Sequence, residues 1–177
     1  MITLAVFGVM AAGAVPVFTN ATDGLKLGQA AREVERELQT ARLKAVTSNR
    51  PIRVRFNCPA TGEYRMVELI GSAAAPVAAD TAATRCQETV YKSPANDANP
   101  LTRPNHDGPV KRLPTVVSFG AASTVEFWPD GSVHQDLAGG VTPWPVVPGT
   151  GTAITLTKGT KISTITVNGL GKITLVQ

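Results

Sequence analysis

ITLAVFGVMAAGAVPVF (residues 2–18), followed closely by GLKLGQAAREVERELQTARLKAV (residues 24–46), decides the architecture of this chain. The first stretch is apolar apart from Thr3, and no charged residue occurs anywhere in residues 1–22. That run approaches the ~20 apolar residues with which a helix crosses a bilayer. A cleaved secretory signal normally opens with a basic segment, and no Lys or Arg precedes the run. A buried core helix is usually shorter and rarely apolar on every face. Residues 1–22 therefore read as a membrane anchor.

In the second stretch Leu27, Ala31, Val34, Leu38, Ala41 and Ala45 recur at three- and four-residue spacing. Lys26, Arg32, Glu33, Glu35, Arg36, Glu37, Gln39, Arg42 and Lys44 fill the other faces. This is the period of an amphipathic helix, predicted over residues 23–49 and ending near Asn49, because Pro51 disfavours helix at Arg50. Pro16, Asp23 and Gly24 are the places where it could kink, so the reading is one helix or two in line.

Beyond Pro51 the period changes to alternation. Ile52, Val54 and Phe56 against Arg53, Arg55 and Asn57 predict a half-buried strand, with residues 64–70 as its partner across a turn at Ala60, Thr61 and Gly62. Residues 71–114 are poor in pattern: an Ala-rich stretch, Cys86, a short strand at 89–92 and a Pro/Asn-rich stretch, SPANDANPLTRPNHDGP (residues 93–109), that reads as a long surface loop. Further strands are predicted at 115–119, 123–128 and 132–135, the last two separated by the turn Pro129-Asp130-Gly131. A Gly/Pro-rich loop covers 138–151, and strands 153–157, 162–167 and 172–176 close the chain as an antiparallel meander. Residues 50–177 thus form a mainly β head, and a helix packed across its sheet makes the fold α+β.

Composition agrees. Charged residues are only 17% of the 177, with 16 Gly and 13 Pro, which suits a turn-rich β head rather than a helical bundle. The net charge of +4 comes from scattered Lys and Arg, without a block that would point to an anionic partner. Cys58 and Cys86 form no CxxC pair and have no neighbouring His, so a metal site is not indicated. An exported head would oxidise them to one disulfide, adding roughly 3 to 4 kcal/mol of stability on the chain-entropy model; two separate buried thiols are the alternative.

The order of these pieces resembles the GspH/FimT branch of the type IV pilin-like proteins. LAVFGVMAAGAVPVF is similar to the latter part of that family's hydrophobic helix, including its proline at Pro16. LQTARLKAVTSNRPIRVRF resembles its helix end and first strand, and LPTVVSF, VEFWPDGSV and TITVNGLGKITL its later strands and final hairpin. One departure stands out: the family's basic leader, Gly cleavage point, methylated Phe and early helix glutamate do not precede this run. Residues upstream of Met1 are therefore expected.

The resemblance implies a minor pilin or type II secretion pseudopilin, made single-pass in the bacterial inner membrane with its head in the periplasm. Its partners would be other pilin or pseudopilin subunits, and in a secretion system exported substrate proteins. Leu4, Gly8, Ala11, Ala12, Gly13 and Pro16 are the candidate helix-packing residues, since small side chains let helices approach closely. DNA uptake is the alternative implied by FimT-like relatives. Lys158, Lys161 and Lys172 would then form a small basic edge, although lysines guarding sheet edges from unwanted pairing are the better explanation of them.

No catalytic constellation, cofactor motif or metal motif is present. His106 and His134 lack a motif context and read as solvated or turn-stabilising, and Asp107, Asp130 and Asp136 read as turn residues. GVTPWPVVPGTGT lacks the Lys-Ser/Thr ending of a phosphate loop. Trp144 reads as a candidate exposed anchor for an exported substrate, although aromatic residues in such loops more often cover the edge of the core.

Overall fold

A computed structural model describes residues 2–92, 104–136 and 143–176, with the side chains of residues 2–21 outside that description. Helix α1 (Ile2–Ser48) runs unbroken through Pro16, Asp23 and Gly24. It stops where predicted: Asn49 turns left-handed at φ 53°, the Arg50 amide bonds back to the Ala45 carbonyl at 3.2 Å, and Pro51 follows.

The head has two antiparallel sheets. Strands β1 (Ile52–Phe56), β2 (Glu63–Glu68), β3 (Lys111–Arg112), β5 (Val125–Phe127) and β6 (Val133–Gln135) make the first, ordered β3-β2-β1-β5-β6. Strands β4 (Ser118–Ala122), β7 (Thr152–Lys158), β8 (Lys161–Val167) and β9 (Ile173–Val176) make the second, ordered β4-β7-β8-β9. A short helix α2 (Ala78–Thr81) and a 3-10 turn (Ala83–Cys86) lie between β2 and β3.

Helix α1 lies against both sheets and closes their core. Its periodic stripe of Leu27, Ala31, Val34, Leu38, Ala41 and Ala45 is buried, against Ile52, Val54, Val125 and Phe127 of the first sheet and Ile154, Leu156, Ile165 and Val167 of the second. The alanines on this stripe let the helix lie close to the strands. Phe119 of β4 stands edge-on to Tyr64 of β2 at 5.7 Å and 5.0 Å from Phe56 of β1, so one aromatic cluster joins the sheets. At the far end the β8–β9 turn abuts residues 146–147. A side chain on Gly169 would meet the Val147 carbonyl, so this contact requires glycine.

Strands differ from expectation at several places: β3 falls in a stretch expected to hold no strand, β2 and β5 are shorter than expected, and two further differences have a local cause. Residues 115–116 form a turn closed by the Val117 amide on the Pro114 carbonyl at 2.8 Å, so β4 begins at Ser118. Residues 89–92 are no strand: the Val90 and Tyr91 amides both bond to the Gln87 carbonyl, curling the chain into a turn.

The larger correction concerns the first sheet, read as half-exposed and in fact covered on both faces. Every residue of β2 is buried, and Arg53 of β1 is 3% exposed. Described parts of residues 71–114, read as poor in pattern and in part as surface loop, fold over the face opposite α1 as a strap. Cys58, at the end of β1, is joined by a disulfide to Cys86 in the strap, with Cα atoms 5.5 Å apart. Lys111 in the strap's last strand also bonds Glu37 of α1 at 2.8 Å.

Candidate assembly interface

The candidate helix-packing residues Leu4, Gly8, Ala11, Ala12, Gly13 and Pro16 all lie on the N-terminal half of α1. Their side chains, like those of the rest of the apolar run read as an anchor, are outside the described part of the structure, though the run's backbone is helical. Among the described residues no helix is long and apolar enough to cross a membrane.

The two halves of α1 meet the head at Asp23. Its carboxylate bonds the Lys158 ammonium at 2.5 Å, and Lys158 is 9% exposed at the end of β7. That hydrogen bond is the main reason the Asp23 carboxyl lies below its ordinary value; burial opposes it, and the charges of Lys158, Lys26 and Lys161 add weaker attraction. A carboxyl whose pKa is depressed on folding adds stability above its unfolded pKa, and the contribution disappears as pH falls through the folded value. NMR titration of the Asp23 carboxyl is therefore expected to give a midpoint below the usual carboxylate range, moving upward in Lys158→Met.

The three lysines read as a basic edge do not form one. Lys158 is buried in its pair with Asp23. Lys161 begins β8, with its ammonium 3.3 Å from where a side chain on Gly24 would start. Lys172 precedes β9 beyond the opposite end of β8, because Val167 pairs with Ile173. Six residue steps along β8 separate the exposed Lys161 and Lys172 ends by roughly 20 Å. Register carried the signal for Lys158, which shares parity with Ile154 and Leu156 on the buried face of β7.

The residues that sequence reasoning missed lie beneath the strap. Read across the register, Arg53 of β1 stands beside Glu126 of β5, and Glu126 beside His134 of β6. Arg53 Nε donates to Glu126 at 2.5 Å, and its guanidinium lies 4.0 Å from the Trp144 ring centre. The other Glu126 oxygen accepts from Trp128 Nε1 at 2.6 Å. The Trp128 ring stacks on His134 at 3.8 Å and 10°. His134 Nδ1 lies 2.6 Å from the Trp144 carbonyl and Nε2 lies 3.0 Å from Ser132 Oγ. Trp144 is thus buried, covering the edge of the core and not standing out as an exposed anchor, and His134, read as solvated or turn-stabilising, is 6% exposed. The carbonyl can only accept, so Nδ1 carries a proton.

A second cluster pins the strap itself. Asp107, read as a turn residue, is 1% exposed. Its carboxylate takes a forked pair of hydrogen bonds from Arg85, accepts the Glu68 amide at 2.8 Å, and has Arg65 at 3.7 Å. Burial pushes its pKa up while Arg85 pulls against it. Arg65 in turn donates to the carbonyls of Gly108, Arg85 and Tyr91. Glu68 holds the Asn105 and His106 amides and the His106 ring, which places the other sequence histidine. Asp80 gathers the amides of Ile70, Gly71 and Val77. These carboxylates are occupied by arginines and backbone amides, an arrangement that fixes loops. Among the described residues no group of three or more His, Cys, Asp or Glu could hold a metal ion.

Against known families, the sequence model described as "Type II transport protein GspH" matches residues 30–171, from the middle of α1 to the β8–β9 turn. The chain belongs to the GspH family. It is a type IV pilin-like protein of the GspH/FimT kind, a relationship that supports a role as a pilus or pseudopilus subunit.

One solved structure shows the same fold. The Pseudomonas aeruginosa type IV minor pilin FimU, in one crystal form, is 18% identical, with 88% of this chain and 92% of that chain covered and a TM-score of 0.50. The minor pseudopilin EpsH from the type 2 secretion system of Vibrio cholerae is 14% identical, covering 85% of this chain and 96% of that chain at a TM-score of 0.46. No curated protein matches the chain.

Proposed function

We propose that this GspH-family protein is a minor pilin or pseudopilin, held in the bacterial inner membrane by residues 1–22 with its head in the periplasm. From there it assembles through α1 into a type IV pilus or type II secretion pseudopilus. The observation that carries this reading is the continuity of α1, one helix of 47 residues whose second half is built into the core of the head. A helix anchored along so much of its length moves with the head as one body, so packing of its first half against neighbouring helices fixes the head's position. Gly8, Ala11 and Ala12 supply the small side chains that close helix packing needs. The disulfide fits an oxidising compartment.

DNA uptake draws less support from the head, because the exposed Lys161 and Lys172 stand at opposite ends of β8.

Gly8→Leu with Ala12→Leu tests assembly apart from anchoring, since both changes keep the run apolar. In the native host the variant is expected to fractionate with membranes as before. Its amount in the sheared filament fraction should fall about tenfold, the equivalent of ~1.4 kcal/mol. Unchanged incorporation would remove the small residues from the account.

A further inference from the structure

Beside the second half of α1, on the side away from the first sheet, a groove of about 460 Å³ opens between the helix and the start of β9. Gln39, Arg42, Leu43, Val46, Lys172 and Ile173 line it, together with Gly171. Two features set it apart from ordinary surface. Leu43 and Val46 project from α1 at 64% and 49% exposure, and Leu170 at the adjoining turn is 82% exposed, so apolar side chains cluster there in solvent.

β9 is also the last strand of its sheet, hydrogen-bonded to β8 on one side only. Its residues Ile173, Thr174, Leu175 and Val176 carry no charge, proline or bulge of the kinds that normally protect an edge. The opposite edge strand, β4, does carry an irregularity, between Phe119 and Ala122.

We propose that this groove is a docking site for an extended, acidic–apolar peptide segment of a partner protein, added to β9 as a fifth strand of the sheet. Backbone pairing along β9 supplies the register, and alternate side chains of the added strand settle against Leu43 and Val46. Charge selects the partner. The lining contains two cations, Arg42 and Lys172, and no acidic residue. Arg42 is held over the turn by its bond to the Leu170 carbonyl at 3.3 Å, which places its charge at the Lys172 end of the strand. A segment with carboxylates at that end is attracted, and a basic one repelled. This surface belongs to the head and does not depend on assembly through the first half of α1.

The test uses the full chain in detergent micelles and fluorescent peptides of alternating valine and threonine, flanked at both ends by two acidic residues or by two lysines. Anisotropy is expected to show the acidic peptide binding at least about tenfold more tightly than the basic one. Lys172→Glu, which leaves the lining with no net charge, should abolish that preference, and Leu43→Ser should weaken binding of both peptides. Both altered side chains are exposed, so neither change threatens the fold, which the unaltered near-UV circular dichroism of each variant will show. An acidic peptide with alternate amides N-methylated, chosen on the edge facing β9, should lose binding because it cannot pair with the strand. Equal affinity for the two peptides, binding indifferent to Lys172→Glu, or an N-methylated peptide that binds as well as its parent would each overturn the proposal.

Discussion

Asp107→Ala is expected to destabilise the head by about 3–5 kcal/mol, the cost of removing one partner from a buried ion pair. The change leaves the Arg85 guanidinium, itself 0% exposed, facing an empty carboxylate position, and it leaves the Glu68 amide without its acceptor. Arg65 loses the nearby charge as well. Desolvating these groups is not itself a source of net stability. The size of the effect comes from the charges left behind when the partner goes. Asp107→Asn, which preserves the shape and an acceptor for the amide, should cost less. The measurement is chemical unfolding of the full chain followed by tryptophan fluorescence. Both tryptophans suit it, Trp128 through its stack on His134 and Trp144 beneath Arg53. A loss below about 1 kcal/mol would mean that the strap is not held by this cluster.

Leu38→Ala is expected to cost about 2–5 kcal/mol, because the side chain is fully buried where α1 faces the strands and the helix cannot collapse into the gap without moving its whole length. Leu43→Ala, five residues further along the helix on its opposite side and 64% exposed, should change stability by no more than about 0.5 kcal/mol. The contrast between the two leucines isolates the packed face of α1 from the exposed one. Equal effects would contradict the placement of the helix.

The helix stripe and the second sheet were legible for the same reason: each buries one face only, so hydrophobic period maps directly onto burial. Leu27 through Ala45 read at helical spacing, and Ile154, Leu156, Ile165 and Val167 alternate with threonines. Most strands of the first sheet were legible too, but the burial of its second face was not, because that face is polar. Alternation places Arg53 and Arg55 opposite Ile52 and Val54, and a charged face is ordinarily a solvated one. What covers it here is a segment without period, and nothing local to Asp80, Arg85 or Asp107 tells a buried partner from a turn residue.

Lys158 was misread for a different reason: its parity within β7, shared with Ile154 and Leu156, already placed it on the buried face.

The helix half read as the assembly element meets the head through Asp23 and Lys158, so its packing can be followed without disturbing the core. The most direct test places a photoreactive residue at Leu4 in the native host under conditions that form filaments. Illumination is followed by shearing and mass spectrometry of the cross-linked product. The account predicts an adduct in the sheared fraction joining Leu4 to the apolar helix of another pilin-class subunit. Adducts to lipid alone, with no product in the sheared fraction, would contradict a filament role for this helix.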